Sequence, residues 1–493
     1  MKNNLIKKYF NKEKIFCIVF IVLAVATFSF NIVIDANDEL WNFSNTYKMY
    51  YGEEIYKDCN VIVTPLFFYI GEILFKLLGA NYLVFRLYNL ILYTILFYLI
   101  FKLLKKLEIS NVKIITYLII IYFTICLCIP IGANYNILAF IFALLGVIYN
   151  IDKKDKKQRK LEIFFQGLIL FLVFMSKQSI GLLYLCAIVL INMIEQNNLK
   201  IKLKKIFQIL VIFSFMILSY IIYLYSKGVI AEFINYTVLG LFEFKDNNIL
   251  FDGYIWMFLV EIIVSILIII TLRRNKKQIN PKIKNNISTL MCFSIPLLLN
   301  SYPIFNGGHV LLSSIFTMIS IIYFIDKILL TDLMNNKVLI KVLKIFNVIS
   351  MVVIIVLFGM INLSYIKVLQ NNTHNIYYGG IIKDPNNIQN ITNYINEQKN
   401  NGIDVKILSY KASLYNNILK INNGKFDLPF YGNLGIKGIN GIIDEINNLK
   451  NTNILITKEN IKYQESQKLR DYIINNYEKI GEIEEFYIYK IGY

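Results

Sequence analysis

Apolar residues in this chain come in long runs separated by short polar stretches. The runs cover residues 15–34, 82–104, 113–130, 136–151, 161–176, 179–195, 206–225, 254–272, 287–300, 310–325 and 342–364. A helix rises about 1.5 Å per residue, so roughly 20 apolar residues match the hydrocarbon core of a bilayer. The pattern predicts a polytopic α-helical membrane protein with about 11 spans. Between the first two runs, 35–81 is mixed. Its middle, from Pro65 to Leu78, is apolar but carries Glu72 and Lys76. That combination predicts an amphipathic helix lying in the interface.

Beyond residue 364 the period changes. Residues 405–410 and 453–457 read as short strands, with helical patterns at 386–399, 439–449 and 464–476 and a strand or hairpin over 482–491. Strands alternating with helices predict a small soluble α/β domain over 365–493. It follows a transmembrane domain over 1–364 whose first outer loop is 35–81. The tail contains no glycine-rich nucleotide loop.

Charge orients the spans. The formal net charge is +18, a value that on its own invites a nucleic-acid partner. Its placement excludes that reading. The lysines and arginines gather between apolar runs, as in the N-terminal stretch before residue 15 and at 153–160, while the alternate loops hold few. This is the positive-inside pattern of a multi-pass protein of the cell membrane, with a cytoplasmic N-terminus and an extracytoplasmic tail. The first run reads as a retained signal anchor. The six cysteines show neither zinc spacing nor a disulfide framework.

Candidate chemistry collects on the outer side. Asp35, Asp38 and Glu39 directly follow the first run, and acids at the mouth of a span are costly to hold there without a purpose. A carboxylate in a partly dehydrated pocket suits a general base for a hydroxyl. Asp38 and Glu39 are neighbours and cannot point the same way, so one can face a cavity while the other holds a neighbouring element. Lys177 breaks the charge pattern at an outer turn and suits a phosphate, or else snorkels to headgroups. Arg86, one turn into the second long run, suits a phosphate or an acid such as Asp38. Lys57, Gln178, Tyr302 and His309 complete the set, although a lone histidine at a helix start, like His309, is more often a structural hydrogen-bonding group.

In order along the chain stand the Asp38-Glu39 pair, Tyr50-Tyr51-Gly52-Glu53-Glu54, Thr64-Pro65-Leu66-Phe67-Phe68-Tyr69, Leu78-Gly79 and Arg86-Leu87. Over about residues 15–325 this order resembles the GT-C membrane glycosyltransferases, in the branch of the protein O-mannosyltransferases and the lipid A aminoarabinose transferases. Lys177-Gln178 and the Tyr302-Pro303…His309 segment resemble the same branch. The resemblance implies a polyprenyl-phosphate sugar donor and inverting transfer to a lipid, glycan or protein acceptor outside. It places Asp38 at the catalytic aspartate, with Glu39 beside it. It implies no cofactor, although Asp35, Asp38 and Glu39 are oxygen donors of the kind Mg or Mn takes. Many members carry Lys-Pro-Pro-Leu where this chain has Val63-Thr64-Pro65-Leu66; Lys57 or Lys177 then has to supply the missing phosphate contact.

Two rival functions and a non-catalytic scaffold for the tail remain open at this point. A lipid-linked oligosaccharide flippase predicts midplane charges and repeated halves, and neither stands out here. A polysaccharide polymerase shares the lipid-carried substrate.

Overall fold

The computed structural model describes residues 12–29, 37–126, 132, 134–151, 159–194, 198–243, 253–275, 279–302, 305–331, 336–371, 376–377, 380–381, 385–409, 412–419, 426, 433–458 and 466–492. Helices carry most of it. In chain order they are α1 (Lys12–Ser29), α2 (Asn37–Tyr50), α3 (Leu66–Leu78), α4 (Tyr82–Lys106), α5 (Asn111–Cys126), α6 (Tyr135–Ile151) and α7 (Arg159–Ser176). There follow, among those of seven residues or more, α8 (Gln178–Ile194), α9 (Leu199–Lys227), α10 (Ile255–Arg274), α11 (Pro281–Leu298), α12 (Gly307–Ser313), α13 (Ile315–Phe324) and α14 (Lys337–Asn371).

The expectation of about 11 spans is corrected. A helix lies on every apolar run, but four of the described helices are long and apolar enough to cross a bilayer: Tyr82–Lys106, Leu199–Lys227, Ile255–Arg274 and Lys337–Met360. The pair Gly307–Ser313 and Ile315–Leu329, bent by 47°, makes a fifth if taken as one broken span. The reason is length. Tyr135–Ile151 and Gln178–Ile194 have 17 residues each, or about 25 Å of rise against a core of about 30 Å.

The long helices also face outward with apolar side chains. On α9, Phe207, Phe215 and Ile222 are exposed, as are Leu259 and Ile263 on α10 and Val348 and Val352 on α14. Apolar faces of this extent suit lipid better than water. The chain thus has the build of a helical membrane protein carrying a small sheet.

The core of the helical part is aromatic where α2, α3 and α4 meet. Phe43 packs edge-on against Phe75, Tyr82 and Phe85, and Phe67 lies against Phe85 and Tyr88. Helix α3 matches the amphipathic segment expected at 65–78. Helix α2 was not expected at all; its polar sequence hides a buried face that includes Leu40, Trp41, Phe43 and Tyr47.

In the tail, α15 (Pro385–Asn400), α16 (Ala412–Leu419), α17 (Gly438–Asn447) and α18 (Gln467–Asn476) surround a four-stranded sheet. Its strands are β3 (Asp404–Leu408), β4 (Thr452–Thr457), β5 (Glu478–Ile483) and β6 (Phe486–Ile491), after a minimal hairpin of β1 (Ile376–Tyr377) and β2 (Gly380–Ile381). The order is β3-β4-β6-β5, with β3 parallel to β4 and the other pairs antiparallel.

Side chains alternate between the two sheet faces. Ile454, Ile456, Tyr489 and Ile491 close a core of their own with Ile442 and Ile446 of α17 and Leu469 and Ile473 of α18. Val405, Ile407, Leu455 and Ile488 join Ile391 and Ile395 of α15 and Tyr415 of α16 in the same buried cluster as the helices. Helix α16 packs on α2. The tail expected to stand apart from residue 365 thus shares one of its two cores with the membrane part, and α14 runs past 364 to Asn371.

Candidate active site

Helix α2 begins on Asn37, Asp38 and Glu39. Acids in a first turn are favoured by the helix dipole. Successive side chains on a helix diverge by about 100°, so Asp38 and Glu39 are committed to different neighbours. Asp35 and the side chain of Asp38 lie outside the described residues. Glu39 is 2% exposed. Its Oε2 sits 2.6 Å from Nη2 of Arg86, itself 4% exposed. The Tyr82 hydroxyl donates to the same Oε2 at 2.8 Å and accepts from Arg86 Nη2 at 2.9 Å. Tyr82 and Arg86 are four apart on α4 and so share a face. The guanidinium carbon also lies 5.1 Å from the centre of the Tyr82 ring. A buried ion pair this well bonded acts as a clamp between α2 and α4.

Glu39 was expected beside the catalytic acid and Arg86 beside a phosphate or Asp38; the structure pairs the two with each other and with Tyr82.

Gly132 covers the clamp. A methyl group on it would fall 2.6 Å from Glu39 Cβ, so the backbone there comes as close as only glycine allows. From Gly132 to Asn136 the chain reaches at most about 14 Å. That short segment joins the clamp to a second cluster.

The second cluster centres on Lys177, the single residue between α7 and α8. Its ammonium donates to Asn136 Oδ1 at 2.8 Å and Asn300 Oδ1 at 3.2 Å, and lies 5.7 Å from the centre of the Tyr135 ring. Asn300 in turn donates to Ser313 Oγ at 3.2 Å. Neither partner is charged. An ammonium has three hydrogens, and the third has no acceptor among the described residues. Desolvation lowers the Lys177 pKa to about 8. At neutral pH the ammonium is still mostly charged, and its neutral partners leave that charge uncompensated.

His309 lies within electrostatic range of Lys177. Its Nδ1 is 2.8 Å from Asn306 Oδ1, which also caps α12 through the His309 amide at 2.9 Å. With Nδ1 donating to the amide oxygen, Nε2 carries the lone pair.

Gln178 serves the backbone. It donates to Ile62 O at 2.7 Å and Thr237 O at 3.0 Å, and accepts from the Thr64 amide at 3.3 Å. Thr64 Oγ1 donates to Phe174 O at 2.6 Å. These bonds dock the loop before α3 onto the turn that carries Lys177. Gln178, expected among the substrate-binding residues, thus has both ends of its amide engaged by the backbone.

Lys57 and Tyr302 are not brought in. Lys57 is exposed in the segment between α2 and α3, and Tyr302 is 61% exposed, with its ring 6.3 Å from that of Phe305. Sequence reasoning missed Tyr82, Asn136 and Asn300. The available signal was an asparagine at the outer end of each of two apolar runs, on the same expected side as Lys177. No group of three or more His, Cys, Asp or Glu among the described residues is placed to hold a metal ion. No family model, curated protein or solved structure matches this chain.

Proposed function

We propose that this chain is a membrane glycosyltransferase of the GT-C kind, which moves a sugar from a polyprenyl-phosphate donor to an acceptor outside the membrane. The observation that carries the reading is the place of Lys177. Gln178 and Thr64 hold the Val63-Thr64 stretch, where the resembling enzymes have a phosphate-binding lysine, against the turn that carries Lys177. A cation lost from one side of that contact is thus present on the other.

In the reaction, the Asp38 carboxylate takes the proton of the acceptor hydroxyl. The hydroxyl oxygen attacks the anomeric carbon, and the bond from that carbon to the phosphate oxygen breaks. The bonding pair leaves on polyprenyl phosphate. Lys177 stabilises that charge without a proton transfer, because phosphate is already a competent leaving group. The Glu39–Arg86 clamp fixes the first turn of α2 against α4 and so fixes the backbone that carries Asp38. His309 lies near the cation, where its Nε2 can accept a hydrogen bond from a donor hydroxyl.

The test is an assay of the purified full chain against a panel of polyprenyl-phosphate sugars, reading release of polyprenyl phosphate. Release that depends on Asp38 supports the reading. A folded protein that neither consumes nor binds any donor discards it.

A further inference from the structure

We infer that the cleft between the tail and the segment after α9 binds a glycan, and that the acceptor of the proposed transfer is therefore a carbohydrate. The second half of this inference rests on the transferase reading; the first does not.

The cleft has a volume of about 350 Å³ and lies between Asn235 and Tyr236 on one side and α17 with the residues before it on the other. Its polar lining comes from Asn235, Asn433, Lys437, Asp444, Glu445 and Asn448. Asn433 is 5% exposed, and its Oδ1 has no hydrogen-bond partner among the described residues. A buried amide oxygen left without a donor is costly, and a ligand hydroxyl supplies that donor. The cleft is a built feature. Asn235 Oδ1 accepts from the Ile436 amide at 2.9 Å. Gly435, at φ +67°, lets the two walls touch, since a methyl group there would fall 2.3 Å from Asn235 Nδ2.

The lining selects the ligand class. Amides both donate and accept, and carboxylates accept from hydroxyls in pairs. Two acids and one lysine leave little net charge for an ion to seek. The apolar members, Leu434, Ile442 and Tyr236, are each under 8% exposed, so they offer no pocket for a hydrophobic anchor. A peptide commonly docks through such a pocket or along a free strand edge, and no strand of the sheet lines this cleft. Hydroxyl-rich, uncharged sugar rings fit what remains.

Position favours the same answer. Asn235–Leu239 is a single π-helical turn, a form that recurs at functional sites. The carbonyl of Thr237 within it accepts from Gln178, the residue after Lys177. One hydrogen bond, between the neighbour of cleft-lining Tyr236 and the neighbour of Lys177, thus ties the cleft wall to the turn that carries the cation proposed to hold the donor phosphate.

The test uses the full chain in lipid nanodiscs with short neutral glucose, galactose and mannose oligosaccharides, read by saturation-transfer NMR and calorimetry. Binding is measured in Asp38→Asn, so that turnover plays no part. We expect one sugar class to bind, and Asn433→Leu to weaken it at least tenfold. The exposed substitution Asn448→Ala, which spares the core, should weaken it several-fold. Equal binding by these variants and the parent overturns the cleft, as does binding of unstructured peptides in place of sugars. Transfer whose acceptor KM ignores both substitutions keeps the transferase and removes the cleft. Glycan binding with no transfer from any donor does the reverse.

Discussion

Arg86 Nη2 lies 2.6 Å from Glu39 Oε2, and both side chains are buried. Removing one partner strands the other charge away from water. Glu39→Gln should therefore destabilise the protein by about 3–5 kcal/mol. Replacing both residues with methionine should recover much of that loss, because no orphaned charge remains. Thermal unfolding in detergent of the Glu39→Gln variant and the double variant checks this. A Glu39→Gln protein as stable as the parent would remove the clamp.

Asp38 is one position away from the clamp and is assigned the chemistry. Asp38→Asn should abolish sugar transfer while leaving the melting temperature within experimental error of the parent. Activity assays paired with unfolding curves separate this outcome from simple misfolding. Full activity in the variant would vacate the base assignment.

Lys177 is assigned the donor phosphate. Lys177→Ala should weaken binding of polyprenyl phosphate by about 10- to 100-fold, the scale of a charge-assisted hydrogen bond. The pH dependence has a definite sign. Below about 8 the folded ammonium is charged, and above it neutral, so donor affinity in the parent falls as pH rises through about 8. Stability runs the other way. Between that value and the unfolded pKa of about 10.4 the unfolded chain binds more protons, so stability rises with pH across the window. A donor-affinity profile flat through this range, measured by titration with inorganic phosphate and polyprenyl phosphate, would move the contact elsewhere.

Gln178 holds three backbone groups at once. Gln178→Ala leaves Ile62 O, Thr237 O and the Thr64 amide in search of partners. We expect a loss of about 1–3 kcal/mol and faster amide exchange at Thr64. Hydrogen exchange followed by mass spectrometry reads both. Unchanged protection at Thr64 would show that the loop is held by other means.

The parts legible in the sequence are those governed by periodicity. Helix α3, the strands β3 and β4 and the helices α15, α17 and α18 fall close to where alternation and apolar spacing put them. Helix α2 escaped notice because its buried face is mixed with Asn42, Ser44, Asn45 and Thr46, all buried. The number of crossings was overread because an apolar run marks burial as well as lipid contact. On α6, Leu138, Phe140 and Leu144 are inside the protein, and so contribute no lipid face.

Within the site, the residue types were legible and their partners were not. A carboxylate pair announces that two roles are present; it takes Tyr82 and Arg86 closing on Glu39 to divide them. Lys177 was legible as an anomaly of charge. That its partners are two asparagines far apart in the chain depends on α6 beginning and α11 ending beside the same turn, which no local pattern encodes.

Tyr415 and Ala412 of α16 are buried in one continuous cluster with Trp41 and Phe43 of α2. A chain cut after Asn371 would leave that flank of α2 bare, and with it the helix that starts at Asp38. Shortening the protein to its bilayer-embedded portion should therefore cost the first turn of α2 its footing, and the two halves should melt together.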